Sequence, residues 1–319
     1  MIILESLTKS YGAQKALDEV SLEVNEGETL ILLGTSGCGK TTTLKMINRL
    51  LSPDEGKVSI QGRDIKNEDT VTLRRGIGYV MQHIGLFPHY TVAENIAVVP
   101  GLLGWKKSKI DSRIKELMDT LHLPVSYLKL YPAALSGGQQ QRVGLARALA
   151  ADPKILLMDE PFGALDNVTR AGIQLEFKAL ESLKQKTVVM VTHDVQEAFE
   201  LADRICLMDK GKVMQIGKPE DLLFKPENEF TRKFFDDQRL ALELKAIKIS
   251  NIMEHSAKQE ELHLPGLSAN MSIWAAMEKL QATSIGNGDV GRDISEENTS
   301  DFKNLMTAFY NYKKHISNE

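Results

Sequence analysis

Cysteine, long apolar runs and an excess of basic residues are all missing from this sequence. Two cysteines, Cys38 and Cys206, among 319 residues are too few for a disulfide framework and lack the spacing of a metal site, so we expect reduced thiols. No run approaches the roughly 18 apolar residues that span a bilayer. The first residues carry no basic stretch ahead of their apolar ones, unlike a signal peptide. These absences predict a cytosolic protein, or one docked to a membrane partner.

The charge balance argues against a dedicated nucleic-acid binder. The formal net charge is −4, and after position 235 there are 13 acidic and 9 basic residues, which leaves the preceding part balanced. Neither part has the basic excess that binding to nucleic acid requires. With 42% hydrophobic residues, the chain has enough apolar side chains for one large or two modest domains with a substantial core.

The first half of the chain changes from strand patterns to helix patterns. Short β-rich runs separated by glycine turns are predicted at residues 2–4, 22–24, 29–33, 58–60 and 77–81. From about 91 to 150 the pattern is helical, and "TVAE" and "SKID" both have the capping-box spacing. One apolar stripe is predicted to pack in the core, and it consists of Ile110, Ile114, Leu117, Met118 and Leu121.

The second half alternates strands with helices until the pattern stops. Strand-like "KILLMD" and "TVVMV" alternate with helices that begin near Asn167 and Asp194, which predicts βαβ units and a parallel sheet. The predicted fold class is therefore α/β. After about Phe235 the sequence becomes polar and rich in methionine, which indicates a second domain or a tail.

A phosphate-binding motif follows the apolar run "TLILL". Residues 34 to 41, "GTSGCGKT", fit G-x-x-x-x-G-K-[ST] and precede a helical segment, a context that disfavours a glycine turn matching by chance. Glycines free backbone N–H groups to wrap phosphates, while Lys40 reaches the β and γ phosphates and the Thr41 hydroxyl binds Mg²⁺. The predicted nucleotide-binding residues here are Gly34, Thr35, Ser36, Gly37, Cys38, Gly39, Lys40, Thr41 and Thr42.

Two adjacent carboxylates end the strand-like run "ILLMDE". Asp159 is placed to hold Mg²⁺ through water at the carboxyl end of a parallel strand. Glu160 is placed to orient or deprotonate an attacking water. The alternative for an isolated "DE" is a solvated strand end, and the phosphate motif in the same chain favours the catalytic interpretation.

A second anion site is predicted at "LSGGQQQ", residues 135 to 141. Ser136 can cap the helix that follows, and the two glycines let another molecule approach the free N–H groups at the positive end of the helix dipole. One phosphate site already exists upstream, so a second needs its own explanation.

In this order, these motifs resemble the nucleotide-binding subunits of ABC transporters over about residues 1 to 235. The resemblance implies a P-loop NTPase with a RecA-like core, an N-terminal antiparallel β subdomain and an inserted helical subdomain at about 83–152. It implies that Tyr11 stacks on adenine, that Gln82 senses Mg²⁺ and the water, and that His193 touches the γ phosphate. Taken singly, Tyr11 and His193 are also explained as packed or capped residues, and Gln82 as a solvated strand end.

The resemblance implies that each site is built from two chains. Asp166 would link the subunits, and Ser136, Gly137, Gly138 and Gln139 would face the ATP held by a second copy in a head-to-tail dimer. The implied catalytic residues are Glu160, His193, Gln82 and Lys40. The implied Mg²⁺ ligands are Thr41, Gln82 and Asp159.

Residues 82 to 105 are expected to receive a partner. Leu86, Phe87 and Trp105 are either core residues or part of a binding groove, and the resemblance implies a short coupling helix of a membrane permease there. "IGLFPH", "ENIA" and "VPGLLGW" are most similar to the ATPases of importers for quaternary-amine osmoprotectants: glycine betaine, carnitine, choline or proline. The implied location is peripheral, on the cytoplasmic face of the inner membrane, with a substrate-binding protein as an indirect partner.

The last 80 or so residues resemble the start of a CBS module, in "ISNIMEHSA" and "LSANMSIWAAMEKL". The segment "SIGNGDVGRDISEENTSDF" lacks the β-branched strand of that module, so a degenerate remnant that helps subunits associate is the alternative to a regulatory domain. Two other functions stay open: an importer for another solute, and an ABC ATPase acting on nucleic acid or ribosomes. The single cassette without a long coiled coil argues against the latter, so no nucleic-acid partner is expected.

Overall fold

The computed structural model describes residues 1–82, 85–163, 165–180, 185–254, 267–285 and 296–316. Contacts group the chain into two compact units, Met1–Ile216 and Gly217–Glu319. The helices between 217 and 235 thus group with the C-terminal residues. The end of an ATPase domain near 235 stays a prediction.

Ten strands in the described residues form two sheets. The strands are β1 (Ile2–Tyr11), β2 (Gln14–Val24), β3 (Thr29–Gly34), β4 (Glu55–Ile60), β5 (Arg63–Asp64), β6 (Ile77–Val80), β7 (Ile155–Asp159), β8 (Thr187–Val191), β9 (Arg204–Asp209) and β10 (Lys212–Gly217). The smaller sheet has the order β2-β1-β4-β5 with antiparallel neighbours. Here β1 and β2 run much further than the short apolar runs predicted, because alternating polar residues continue the antiparallel pairing.

The larger sheet has the order β10-β9-β3-β8-β7-β6, and its pairs from β9 to β6 are parallel. Strands β7 and β8 are buried along their whole length, as parallel strands covered on both faces are. The predicted parallel sheet and α/β class are confirmed. Because parallel strands end at one edge, the residues after β3, β7 and β8 come together there.

Seven α-helices accompany these sheets in the described part of the first unit. They are α1 (Lys40–Ile47), α2 (Thr70–Arg75), α3 (Val92–Leu102), α4 (Lys107–Thr120), α5 (Gly137–Leu149), α6 (Asn167–Ala179) and α7 (Val195–Leu201). The helices predicted to begin near Asn167 and Asp194 are α6 and α7. Helices α3, α4 and α5 lie in the range predicted for the helical subdomain, of which residues 83–84 lie outside the described residues.

One of the two predicted capping boxes is correct. Thr91 and Glu94 form the reciprocal bonds at the start of α3. The box predicted from "SKID" is wrong, because α4 begins at Lys107, ahead of Ser108, and its cap residue Lys106 makes no side-chain cap bond. The apolar stripe of α4 is confirmed as core, since Ile114, Leu117, Met118 and Leu121 are buried and Ile110 is half-buried.

A buried asparagine shapes the loop before α3. Asn95 is fully buried, and its Oδ1 accepts a hydrogen bond from the Phe87 N–H at 2.8 Å. Its Nδ2 donates to the carbonyls of Phe87, Tyr90 and Thr91 at 3.1, 3.1 and 3.0 Å. One side chain therefore fixes the backbone from 87 to 91 onto α3.

Beyond β10, the described part of the second unit consists mainly of helices joined by short connections. Its α-helices are α8 (Pro219–Phe224), α9 (Glu229–Phe234), α10 (Arg239–Ala246), α11 (Ile249–Glu254), α12 (Ile273–Ile285) and α13 (Glu296–Ile316). Ile252, Ile273 and Phe309 belong to its core. The buried Glu243 carboxylate binds Arg239 Nε at 3.2 Å and also Lys313 Nζ.

The CBS resemblance is not confirmed by these helices. The predicted closing helix at "DFKNLMTAFYNYKK" lies within α13, and an isolated antiparallel bridge joins Lys248 to Ser272. Residues 255–266 and 286–295, which include much of the segment lacking a strand pattern, lie outside the described residues. None of the described helices has the length and apolar character needed to cross a bilayer.

We predict that Asn95→Ala destabilises the protein by about 2 kcal/mol, because it leaves polar groups of the loop at 87–91 without partners. The free energy of unfolding, measured by urea denaturation, checks this. Asn67→Ala, at an exposed position, is the control and is expected to change stability by less than about 0.5 kcal/mol. Equal effects of the two substitutions would contradict the role given to Asn95.

Candidate nucleotide-binding site

The loop between β3 and α1 is built on glycines that no other residue can replace without movement. Gly34 has φ +150°, and a Cβ there would lie 2.0 Å from the Met208 carbonyl oxygen. Gly39 has φ +105°, and its Cβ would lie 2.6 Å from the Ala16 carbonyl oxygen. Both the positive φ and the close backbone contacts require glycine at these two positions. Because the glycines have no side chain, the loop can pack closely against its neighbours just ahead of α1.

Lys40 is held inside this loop. Its side chain is buried, and Nζ donates to the carbonyl oxygens of Gly34 and Thr35, both at 2.8 Å. The ammonium group thus closes the loop on itself at the first residue of α1. Because the cation lies beside backbone N–H groups at a helix start, the loop offers a site for phosphate.

Thr41 and Asp159 place two oxygen atoms side by side at the sheet edge. The Thr41 hydroxyl donates to Asp159 Oδ1 at 2.8 Å. Burial raises the pKa of Asp159, an effect that the Thr41 hydrogen bond and the positive charges of Lys45 and Lys40 oppose. A buried carboxylate beside a hydroxyl is a hard oxygen pair of the kind that Mg²⁺ accepts together with phosphates.

Glu160 connects two of the other predicted catalytic residues, Gln82 and His193. Its backbone has φ +45°, which is rare outside glycine, and its N–H donates to the Val191 carbonyl at 2.9 Å. Its Oε2 accepts a hydrogen bond from Gln82 Nε2 at 3.1 Å, and its Oε1 lies 3.2 Å from His193 Nδ1. Residues that follow three different strands therefore meet at one carboxylate.

These groups line a single cleft of about 580 Å³. The lining residues are Ser36, Gly37, Cys38, Gly39, Lys40, Thr41, Thr42, Gln82, Glu160 and His193. Three further predicted residues bind this lining. The carbonyls of Gly34 and Thr35 accept hydrogen bonds from Lys40, and Asp159 accepts one from the Thr41 hydroxyl. The structure therefore brings together most of the residues that the sequence singles out.

Tyr11 and the residues of "LSGGQ" do not line this cleft. Tyr11 ends β1 with an exposed ring. Ser136 caps α5, as predicted: its Oγ accepts from the Gln139 N–H at 3.4 Å, and its own N–H donates to Gln139 Oε1 at 2.9 Å. A Cβ on Gly137 would meet nothing within 4 Å, so the start of α5 is open to another molecule.

Sequence reasoning missed four polar residues that support the cleft. Asp209 accepts a hydrogen bond from the Thr35 hydroxyl at 2.9 Å, and the signal was present, since "CLMD" repeats the strand ending of "LLMD". Arg170, Asp194 and Glu197 join α6 to α7 behind His193. Their pairing depends on how two distant helices pack, and no local pattern predicts it.

The fold and the cleft define a P-loop nucleotide-binding protein. The family model described as "ABC transporter" matches residues 17–163. A glycine betaine uptake system ATP-binding protein, YehX of Escherichia coli K12, is 47% identical over 277 residues, which are 87% of this chain and 89% of the relative. The chain belongs to the ABC transporter family of ATP-binding proteins.

Two further comparisons bear on the extent of the match. The choline transport ATP-binding protein OpuBA of Bacillus subtilis is 50% identical over 241 residues, and this chain spans 63% of that relative's length. A solved dimeric structure of the ATP-binding cassette MJ0796, in a post-hydrolysis state bound to ADP and Pi, has a TM-score of 0.62 and 36% identity. It covers 68% of this chain and 98% of its own.

We predict that Glu197 makes stability depend on pH. Burial is the main cause that raises the pKa of Glu197 from 4.5 to about 7, while the Thr192 hydroxyl and the Gln174 amide oppose it by hydrogen bonding. The folded state therefore binds more protons than the unfolded state between these two values, so this contribution to stability is lost as pH rises through that window and is constant above it.

Glu197→Gln removes this titration and keeps a polar group beside Gln174, so its stability should change less between about pH 5 and about pH 8 than that of the unmodified chain. Urea unfolding at both pH values checks this. Glu23→Gln, at an exposed strand position, is the control. A pH dependence that Glu197→Gln leaves unchanged would contradict the assignment.

Proposed function

We propose that the protein hydrolyses ATP as the motor subunit of an importer for quaternary-amine osmoprotectants. One observation carries the hydrolysis step: the Glu160 carboxylate, bonded to Gln82 and close to His193, lines the same cleft as the glycine loop and Lys40. A carboxylate in that place can orient or deprotonate a water next to a bound terminal phosphate.

Each residue of the cleft has a proposed role. The N–H groups of residues 36–42 and Lys40 hold the β and γ phosphates, and His193 contacts the γ phosphate. Thr41, Asp159 and Gln82 hold Mg²⁺, which when bound neutralises phosphate charge. Phosphate oxygens of the nucleotide would complete the coordination of Mg²⁺. Tyr11 stacks on adenine.

Full activity requires a second copy in this proposal. Ser136, Gly137, Gly138 and Gln139 begin α5 outside the cleft, and a Cβ on Gly137 would meet nothing within 4 Å. In a head-to-tail dimer they would contact the γ phosphate held by the other copy, with Asp166 near the contact. The dimeric form of the ATP-binding cassette MJ0796 supports the formation of a dimer.

We predict that Glu160→Gln lowers the maximal ATPase rate at least about a hundredfold, because the general base is lost, and that this variant forms a dimer with ATP and Mg²⁺. Adding Ser136→Arg should keep it monomeric, because the longer side chain blocks the start of α5. Light scattering and nucleotide binding check this, and ATP affinity of the monomer should stay within about twofold.

Ser108→Arg, at an exposed position of α4, is the matched control and should still dimerise. Dimers of the Ser136→Arg double variant would overturn the proposed arrangement, as would an ATPase rate that Glu160→Gln leaves unchanged.

The proposed docking surface for a membrane permease flanks α3. Phe87, Tyr90, Leu102 and Leu103 are exposed apolar residues, and Asn95 holds the first two in place. Leu86 and Trp105 are half-buried, so neither is a simple core residue. Exposed apolar side chains in this number favour a protein partner. Docking would place the protein on the cytoplasmic face of the inner membrane.

The solute class rests on the similar proteins. Relatives with printed roles in glycine betaine, choline or osmoprotectant transport are 47 to 50% identical, whereas the sulfate/thiosulfate import ATP-binding protein CysA of Nocardia farcinica is 44% identical. The solute would reach the permease through a binding protein. We further propose that residues 236–319 form a regulatory region related to a partial CBS module.

Uptake of radiolabelled solutes tests this assignment. Cells that express the chain together with the permease and the binding protein of an osmoprotectant importer should accumulate glycine betaine, choline or carnitine, and cells with Glu160→Gln should not. Accumulation of sulfate in place of the amines would overturn the solute class and leave the ATPase assignment intact.

A further inference from the structure

Helices α6 and α7 are joined by three polar pairs in a row. Arg170 Nη1 lies 3.5 Å from Asp194 Oδ2, and Gln174 Nε2 donates to Glu197 Oε1 at 3.1 Å. Lys178 Nζ binds Glu200 Oε1 at 2.7 Å. The members on α6 are four residues apart, so they share one face of that helix, and the row runs from the sheet edge outward.

The first pair reaches the loops that carry the catalytic residues. Arg170 Nε donates to the Phe162 carbonyl at 3.3 Å, and Nη2 donates to the Leu165 carbonyl at 2.9 Å. Both carbonyls belong to the turn that follows Glu160, in which the Gly163 N–H donates to the Glu160 carbonyl at 3.2 Å. A single guanidinium therefore holds the turn after Glu160 at two points.

The partner of Arg170 holds the loop that carries His193. Asp194 follows His193 directly and caps α7, since its Oδ1 accepts from the N–H groups of Gln196 and Glu197 at 2.9 and 3.2 Å. The Asp194 N–H also donates to the Thr192 hydroxyl at 3.0 Å. The carboxylate that Arg170 binds thus fixes the start of α7 directly after His193, and the Asp194 backbone is tied to the Thr192 side chain on the other side of His193.

We propose that Arg170 is a positioning residue that sets the separation of Glu160 and His193, which is 3.2 Å between Oε1 and Nδ1. Arg170 joins the loop after Glu160 to the loop that carries His193, and neither Arg170 nor Asp194 lines the nucleotide cleft. The planar guanidinium has donors in fixed directions, so it can bind two carbonyls and a carboxylate at once, which a lysine ammonium does not reproduce. This inference rests on the proposed ATPase function.

The row of pairs supplies the variants for a test. Arg170→Gln removes the positive charge and the several N–H donors of the guanidinium. Asp194→Asn removes the negative charge, while asparagine can still cap α7. We expect each to lower the maximal ATPase rate about tenfold with the KM for ATP unchanged. The double variant should be no slower than the slower single variant, because both act through one contact. Lys178→Gln, in the outermost pair of the same helices, should keep the full rate.

The ring resonances of His193 provide a second measurement that does not depend on ATP hydrolysis. In nucleotide-free protein labelled with ¹⁵N-histidine, Arg170→Gln and Asp194→Asn should both shift the ring resonances of His193, and Lys178→Gln should not. Unchanged His193 resonances and rates in Arg170→Gln would overturn the inference. Losses that are additive in the double variant, or equal losses in Lys178→Gln, would overturn it too. An unmodified chain without ATPase activity would instead refute the proposed function, while the resonances still decide the inference.

Discussion

The parallel register of β3, β8 and β7 is the constraint on which the candidate site depends. Leu32 lies opposite Val191, and Val191 lies opposite Asp159, so these strands reach the same edge within a residue or two. The glycine loop, Glu160 and His193 follow from that edge. Hydrogen bonding between buried strands thus brings the glycine loop to Glu160, although the two are about a hundred and twenty residues apart in the chain.

Much of this arrangement could be predicted from the sequence, because each part has a local cause. The glycine loop is specified by residues that alone tolerate its backbone, and the buried strands by continuous apolar runs. A strand followed by Asp and Glu indicates which carboxylates lie at the edge. The capping pattern at Thr91 and Glu94 identifies the start of α3 because both partners lie within one turn.

The remainder depends on contacts between distant segments. The spacing at Ser108 is the same as at Thr91, yet α4 begins one residue before it, and local sequence does not distinguish the two cases. In the sequence, Arg170 resembles an exposed residue of an amphipathic helix, and its contacts follow only from the packing of α7 against α6. Asn95, in the same way, reads as an ordinary polar position, and its burial follows only from the path of the preceding loop.

The cap of α5 leaves a prepared donor at the molecular surface. Ser136 Oγ already accepts from its own helix, and Gln139 is held by that cap and by the Tyr127 hydroxyl at 3.2 Å. The Ser136 hydroxyl can therefore still donate its own proton, and it lies at an exposed, capped helix start beside the first N–H groups of α5. An anion presented by another molecule would find its hydrogen-bond donors in place, and ordering them would cost little conformational entropy. Selectivity at this surface would then depend on where the approaching molecule places its anion.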